Sequence, residues 1–131
     1  TYPNLLMWIA GHRHLNTVKS FKSPDPTKPE LGFWQVETSS LREYPQQLRT
    51  FEIFRNNDNT ISILTTNVDP SVKEGSFADI SRKYAIAAYE IYKVKFNMNP
   101  TGSVSYNAEL VKQLSPEMQK KIQKYGTPVK N

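Results

Sequence analysis

Apolar residues open the chain as one unbroken run, Leu5-Leu6-Met7-Trp8-Ile9, closed by Ala10-Gly11. Five such residues bounded by Pro3 and Gly11 predict a strand, and the lack of alternation predicts burial on both faces, in the middle of a sheet. From Lys19 to Glu30 the pattern breaks down, with Pro24, Pro26 and Pro29 close together. Proline lacks the amide that regular structure needs, so this stretch is expected to be an exposed loop. Strand character resumes over Leu31 to Thr38. Leu48 to Arg55 and Thr60 to Val68 predict two more strands, joined by the turn-forming tetrad Asn56-Asn57-Asp58-Asn59. Phe51 and Ile53, like Ile61 and Ile63, alternate as a hairpin with one buried face requires.

Beyond Asp69-Pro70 the spacing becomes helical. Ser76-Phe77-Ala78-Asp79 resembles a capping box with Asp in the Glu position, which makes Ser76 a candidate N-cap. Ile80, Tyr84, Ala87, Ala88 and Ile91 then fall on one helical face. Pro100-Thr101-Gly102 predicts a turn, and Leu110 and Leu114 suggest a short helix entered near Asn107. Ser115-Pro116-Glu117 has the cap, first-position and first-turn residues of a helix start; Met118 and Ile122 supply its apolar stripe, and Gly126 with Pro128 would stop it. The expectation is an α+β chain, with strands over about 5–68 and helices over about 77–125. Residues 1–70 would form a sheet region and 71–131 a helical extension packed on it.

At 131 residues the chain suits one domain. Its balance is polar, with 37% hydrophobic residues and a mean hydropathy of -0.61, although seven Tyr, six Phe and two Trp supply large burial units. Absence of cysteine excludes disulfides, thiolate zinc sites and cysteine nucleophiles, and leaves both cytoplasmic and periplasmic or exported locations open. No apolar run approaches the ~20 residues of a membrane span. Thr1-Tyr2-Pro3-Asn4 has no charged segment ahead of an apolar one, so it does not match a signal peptide. Net charge is +5. Apart from short groups at Lys19 to Lys28 and Lys120 to Lys130 the cations are dispersed, which describes a solvated basic surface better than a nucleic-acid footprint.

The chemistry in this sequence lies at His12 and His14, its only two histidines, just past the first strand. In an extended segment, residues two apart project to the same side with Cα atoms about 6.5 to 7 Å apart. Bridged metal pairs lie about 3.5 to 4 Å apart and imidazole nitrogen binds at about 2.0 to 2.1 Å, so two such rings can reach one ion each. By the same alternation Arg13 would point away, as a surface cation or a phosphate contact. Gly11 lets the backbone turn sharply or a ligand approach closely. Asn16 could orient His14 or serve as a plain turn residue. The bland alternative is a surface turn carrying two solvated imidazoles.

An apolar strand followed by Gly11-His12-Arg13-His14 and Asn16 resembles the last motif of the calcineurin-like metallophosphoesterases. The segment FWQVETSSLREYPQQLRTFEIFRNNDNTISILTTNVDP is similar to the closing strands of a bacterial branch of that superfamily, and SRKYAIAA and SYNAELVKQLSPEMQKKI to its tail. The likeness spans nearly the whole chain, with GHRH its one chemically specific part. It implies a four-layer α/β/β/α sandwich and two divalent metals, with Mn, Fe and Zn not distinguished. His12 would bind the second metal and His14 the first. In such enzymes the metals polarise a phosphate ester and generate hydroxide from a bridging water.

The chain departs from the family pattern in holding no Asp-x-His, Gly-Asp-x-x-Asp or Gly-Asn-His-Glu. Two imidazoles without carboxylates do not make a closed site for two divalent ions. The expected protein is therefore a C-terminal portion, with the missing motifs N-terminal to Thr1, no catalytic residue of its own and no activity alone. It would supply the last strands of one sheet, with an open edge able to pair with another copy.

Other polar groups invite weaker readings. Ser39, Ser40, Arg42 and Glu43 look like a hydrolase set in composition, but no histidine is left to act as base, so capping and loop hydrogen bonds are their expected work. Tyr84, Tyr89 and Tyr92, with Phe77, could stack on bases but are expected in the core. The rival functional reading is a non-catalytic basic or structural module, distinguished by salt-sensitive polyanion binding.

Overall fold

The computed structural model describes residues 2–91 and 105–125. In chain order the elements are β1 (Met7–Ala10), β2 (Thr17–Phe21), a 3-10 turn (Pro29–Leu31), β3 (Phe33–Glu37), β4 (Leu48–Arg55), β5 (Thr60–Val68), α1 (Phe77–Ile91), β6 (Ala108–Gln113) and α2 (Pro116–Tyr125). The class is α+β. The strands divide into two three-stranded sheets, ordered β1-β3-β2 and β4-β5-β6, where a contribution to a single sheet was expected. In the first, β1 runs parallel to β3 and β2 antiparallel to it; the second is antiparallel throughout.

The two sheets share one core. Val36 of β3 lies with Ile61 and Ile63 of β5, Leu110 of β6 and Leu114, and Met7, Val18, Trp34 and Phe51 pack around them. Ile61 and Ile63 are buried and Phe51 partly so, as the alternation predicts, while Ile53 on the edge strand β4 stays 54% exposed. Polar groups tie the layers together. The Trp34 indole N–H donates to the Val111 carbonyl at 3.0 Å, and the Lys112 ammonium donates to the carbonyls of Glu30 and Gly32.

Three expectations along the strands are corrected. First, β1 is an edge strand rather than a central one: among the described residues it pairs only with β3, and Trp8 and Ile9 are 59% and 53% exposed. Second, Lys19 to Phe21 belong to β2, and the loop starts at Lys22. The prolines begin later, so Lys19, Ser20 and Phe21 are free to pair with Gln35, Trp34 and Phe33, and the Phe21 and Phe33 rings stack at 4.9 Å. Third, Leu110 lies on strand β6, not a helix, so a strand interrupts the segment read as helical. Ala108, Leu110 and Lys112 face inward at period two, opposite Thr65, Ile63 and Ile61. A lysine at an inward position hid that alternation, and only the two carbonyls that receive its ammonium make the burial tolerable.

Both helix starts fold as the sequence directs. The Ser76 hydroxyl accepts the Asp79 amide at 3.2 Å, and the Asp79 carboxylate accepts the Gly75 amide at 3.0 Å, one residue further back than a standard box. Gly75 has φ +75°, a left-handed backbone that strains any other side chain. In α2 the Ser115 hydroxyl accepts the Met118 amide at 3.2 Å, and Met118 and Ile122 pack on the core.

The predicted face of α1 is overturned. Ile80, Tyr84 and Ile91 are 44%, 73% and 76% exposed, and Ala87 and Ala88 are exposed as well. The sheets bury their inner faces against each other, and among the described residues α1 rests on the loop around Tyr44 to Gln47. It does so through a polar and aromatic face. Arg82 sits over the Tyr44 ring and donates to the Pro45 carbonyl, Tyr89 lies 5.8 Å from Tyr44 between ring centroids, and Gln46 donates to the Ser81 hydroxyl. The core role expected of the aromatics fails for Tyr84 and for Phe77, which is 93% exposed. Tyr92, the 100–102 turn and the stop at Gly126 and Pro128 lie outside the described residues. Among the described residues, no helix is long and apolar enough to cross a membrane.

Candidate metal-ligand turn

Parallel pairing places the carboxyl ends of β1 and β3 side by side, at Ala10 and Glu37. Carboxyl ends of neighbouring parallel strands are where open sheets commonly present ligand-binding groups. The Ala10 carbonyl accepts the Thr38 amide at 2.9 Å, and the chain then bends through His12 and Arg13.

Glu37 fixes that bend. Its carboxylate is nearly inaccessible, at 4% exposure for the residue, and accepts the Arg13 backbone amide at 3.2 Å, the Arg13 Nε at 3.0 Å and the Arg13 Nη2 at 2.6 Å. The Thr17 hydroxyl adds a fourth donor at 3.3 Å. Hydrogen bonds from the Arg13 side chain are the main reason the Glu37 carboxyl titrates below its ordinary range, and they outweigh the opposing effect of burial. The same pair raises the Arg13 guanidinium.

Arg13 therefore does not follow the expected alternation. It turns onto Glu37, because a fork of donors and a carboxylate match in shape and a buried carboxylate needs such a partner. His14 has φ 57°, so the extended geometry assumed for His12 and His14 does not apply here. Gly11 is not sterically required: an added Cβ would meet only the Thr38 hydroxyl, at 3.9 Å.

The acceptor at His14 is Glu43, whose Oε2 lies 2.6 Å from Nδ1. An ionised carboxylate can only accept, so the imidazole donates from Nδ1 and, when neutral, keeps the Nε2 lone pair for a metal or a proton. Histidine ligands commonly need such an acceptor to fix the tautomer and ring orientation. Glu43 stands 29 residues from His14, and no spacing rule connects them. Its loop is shaped by the Ser40 hydroxyl, which accepts the amides of Arg42 and Glu43 as expected of a turn serine. Asn16 tethers the turn elsewhere, donating to the Gln47 side chain at 2.7 Å and accepting the Ser39 amide at 3.1 Å.

His12 is exposed on the bend. Its imidazole and that of His14 have the donor chemistry for Mn, Fe or Zn. Among the described residues, however, no group of three or more His, Asp or Glu could hold a metal ion. By themselves these residues do not fit a two-metal centre, and what the turn can supply is two imidazoles, one with its tautomer set. No family model, curated protein or solved structure matches this chain.

Proposed function

We propose that this chain is the C-terminal portion of a two-metal phosphoesterase of the calcineurin-like type, hydrolysing a phosphomonoester or phosphodiester, to which it donates His12 and His14. The observation that carries the reading is the placement of Gly11-His12-Arg13-His14 at the carboxyl end of a strand paired in parallel, clamped by Arg13 and Glu37 and with His14 backed by a carboxylate. The Glu43 carboxylate on an imidazole that stays 38% exposed supports a ligand role, since metal-binding histidines commonly carry such an acceptor. The open edge of β1, with Trp8 and Ile9 exposed, supports the idea that neighbouring strands and the acidic ligands come from a missing N-terminal part. The roles of this chain's own residues are then limited: His12 and His14 hold metal, Glu43 orients His14, and Glu37 with Arg13 fixes the backbone between them.

The test is made on the intact parent protein with His12→Ala and His14→Ala, following manganese-dependent release of phosphate. Each variant is expected to lose about 100-fold or more, at least the upper end of the range for residues that merely support metal ligands. Unchanged activity in both variants defeats the proposal.

A further inference from the structure

Beside the histidine turn, a cavity of about 550 Å³ opens between the 42–44 loop and α1. Small-molecule sites typically fall in the range of about 300–1,000 Å³. Its walls differ in character. One carries His14, Arg13, Arg42 and the Glu43 carboxylate; the other is the α1 face of Tyr84, Ala85, Ala88 and Tyr89. Between Tyr84 and Tyr89 the helix contributes only Ala85 and Ala88 to the lining, so no large α1 side chain projects there. This accounts for the misread apolar stripe of α1, since Tyr84 and Ala88 face this space instead of the sheets.

The charges sort in the same way. Arg13 is committed to Glu37, and Glu43 to His14. Among the described residues no carboxylate pairs with the Arg42 guanidinium, which leaves it available to an incoming anion. Tyr44, which also lines the cavity, is 8% exposed and contacts both Arg82 and the Tyr89 ring.

We infer that this cavity is the recognition site for an aryl or heteroaryl phosphate ester, with the flat ring between Tyr84 and Tyr89 and the phosphate toward Arg42 and His14. Tyrosine faces favour flat rings through apolar contact and offset stacking, and a guanidinium matches phosphate oxygens in shape and charge. The inference rests on the phosphoesterase reading for the phosphate half of the ligand, and the ring half rests on the cavity alone.

Binding to the 131-residue chain, without metal, separates the two. Amide resonances are followed by NMR during titration with 4-nitrophenyl phosphate and, in parallel, glycerol phosphate. The aryl ester is expected to shift residues 42–44 and 84–89 and to bind at least 5-fold more tightly than the alkyl ester. Ala88→Trp, which fills the slot, and Tyr84→Ala, which removes one wall, should each weaken it at least 5-fold. Tyr84 is exposed, so Tyr84→Ala tests the site even if Ala88→Trp does not fold. Equal affinity for the two esters, shifts confined to other residues, or undiminished affinity in the folded variants overturns the inference. No hydrolysis enters this measurement, so its failure is distinct from intact activity in the His12 and His14 variants of the parent, which would defeat the phosphoesterase reading alone.

Discussion

The paired sheets bury Val36 and Ile63 completely and Leu110 to 2% exposure, whereas α1 and the histidine turn are fastened to them by polar groups and by Arg82 and Tyr89 on the Tyr44 ring. The first region is insensitive to the identity of any one surface residue but not to a lost methyl group. The second is the reverse: Glu37, Glu43, Tyr44 and Ser76 each hold it through a few directional contacts. Close packing spreads stabilisation over many weak contacts, while a hydrogen-bonded turn concentrates it in a few atoms of fixed direction. The candidate chemistry sits in the second region, where directional bonds can aim an imidazole and dispersion contacts cannot.

The sharpest way to break this contrast is to cut into the sheets. Ile63→Ala removes the central side chain of β5 and leaves a cavity that both layers must span. We expect a loss of about 3–4 kcal/mol in a urea melt, within the usual range for a fully buried isoleucine. A loss below about 1 kcal/mol would show that the two sheets are not one core.

Glu37 tests the second region through pH. Its carboxyl titrates lower in the folded chain than the ordinary value of 4.5, mainly through hydrogen bonds from Arg13. A depressed acid contributes stability that is present above its unfolded value and is lost as pH falls through the folded one. At pH 7, Glu37→Gln should cost about 1–2 kcal/mol, the lower range for charge-assisted hydrogen bonds because Arg13 is partly in water. On acidification below 4.5 the native chain should lose this contribution and the two urea midpoints should converge. Parallel curves at all pH values would mean that Arg13 does not hold the carboxylate.

What could be read in the sequence follows the same division. The β4-β5 hairpin and both helix caps were legible, because turn tetrads and Ser-x-x-Asp or Ser-Pro-Glu patterns act over a few residues. Strand β6 was not, since Lys112 looks polar until the Glu30 and Gly32 carbonyls are placed beside it. The edge position of β1 and the bearing face of α1 depend on which surfaces the other sheet has already taken, which no local spacing encodes. Within the candidate site, the place of the histidine turn just after β1 was legible, but not its geometry, since His14 has φ 57° and Arg13 turns onto Glu37. Its two carboxylates were not, because Glu37 and Glu43 reach Arg13 and His14 across 24 and 29 residues.

The mildest test concerns how α1 is joined to the rest. Ser76 accepts the Asp79 amide, and Asp79 in turn accepts the Gly75 amide, so one hydroxyl and one carboxylate close the first turn of a helix that buries none of its residues. Removing the hydroxyl by Ser76→Ala leaves one end-group amide unsatisfied, a loss typically worth about 1 kcal/mol. In a tightly packed helix that cost would be shared with the whole fold. Here α1 leans on a loop by Arg82, Tyr89 and Ser81, so the helix should open locally before the sheets do. Hydrogen exchange is expected to speed up about 5-fold over residues 77–86, as that free energy implies, while protection in β5 and the urea midpoint barely move. If β5 loses protection in step with α1, the helix and the sheets unfold as one unit, and the separation between a packed core and a polar-fastened functional face does not hold.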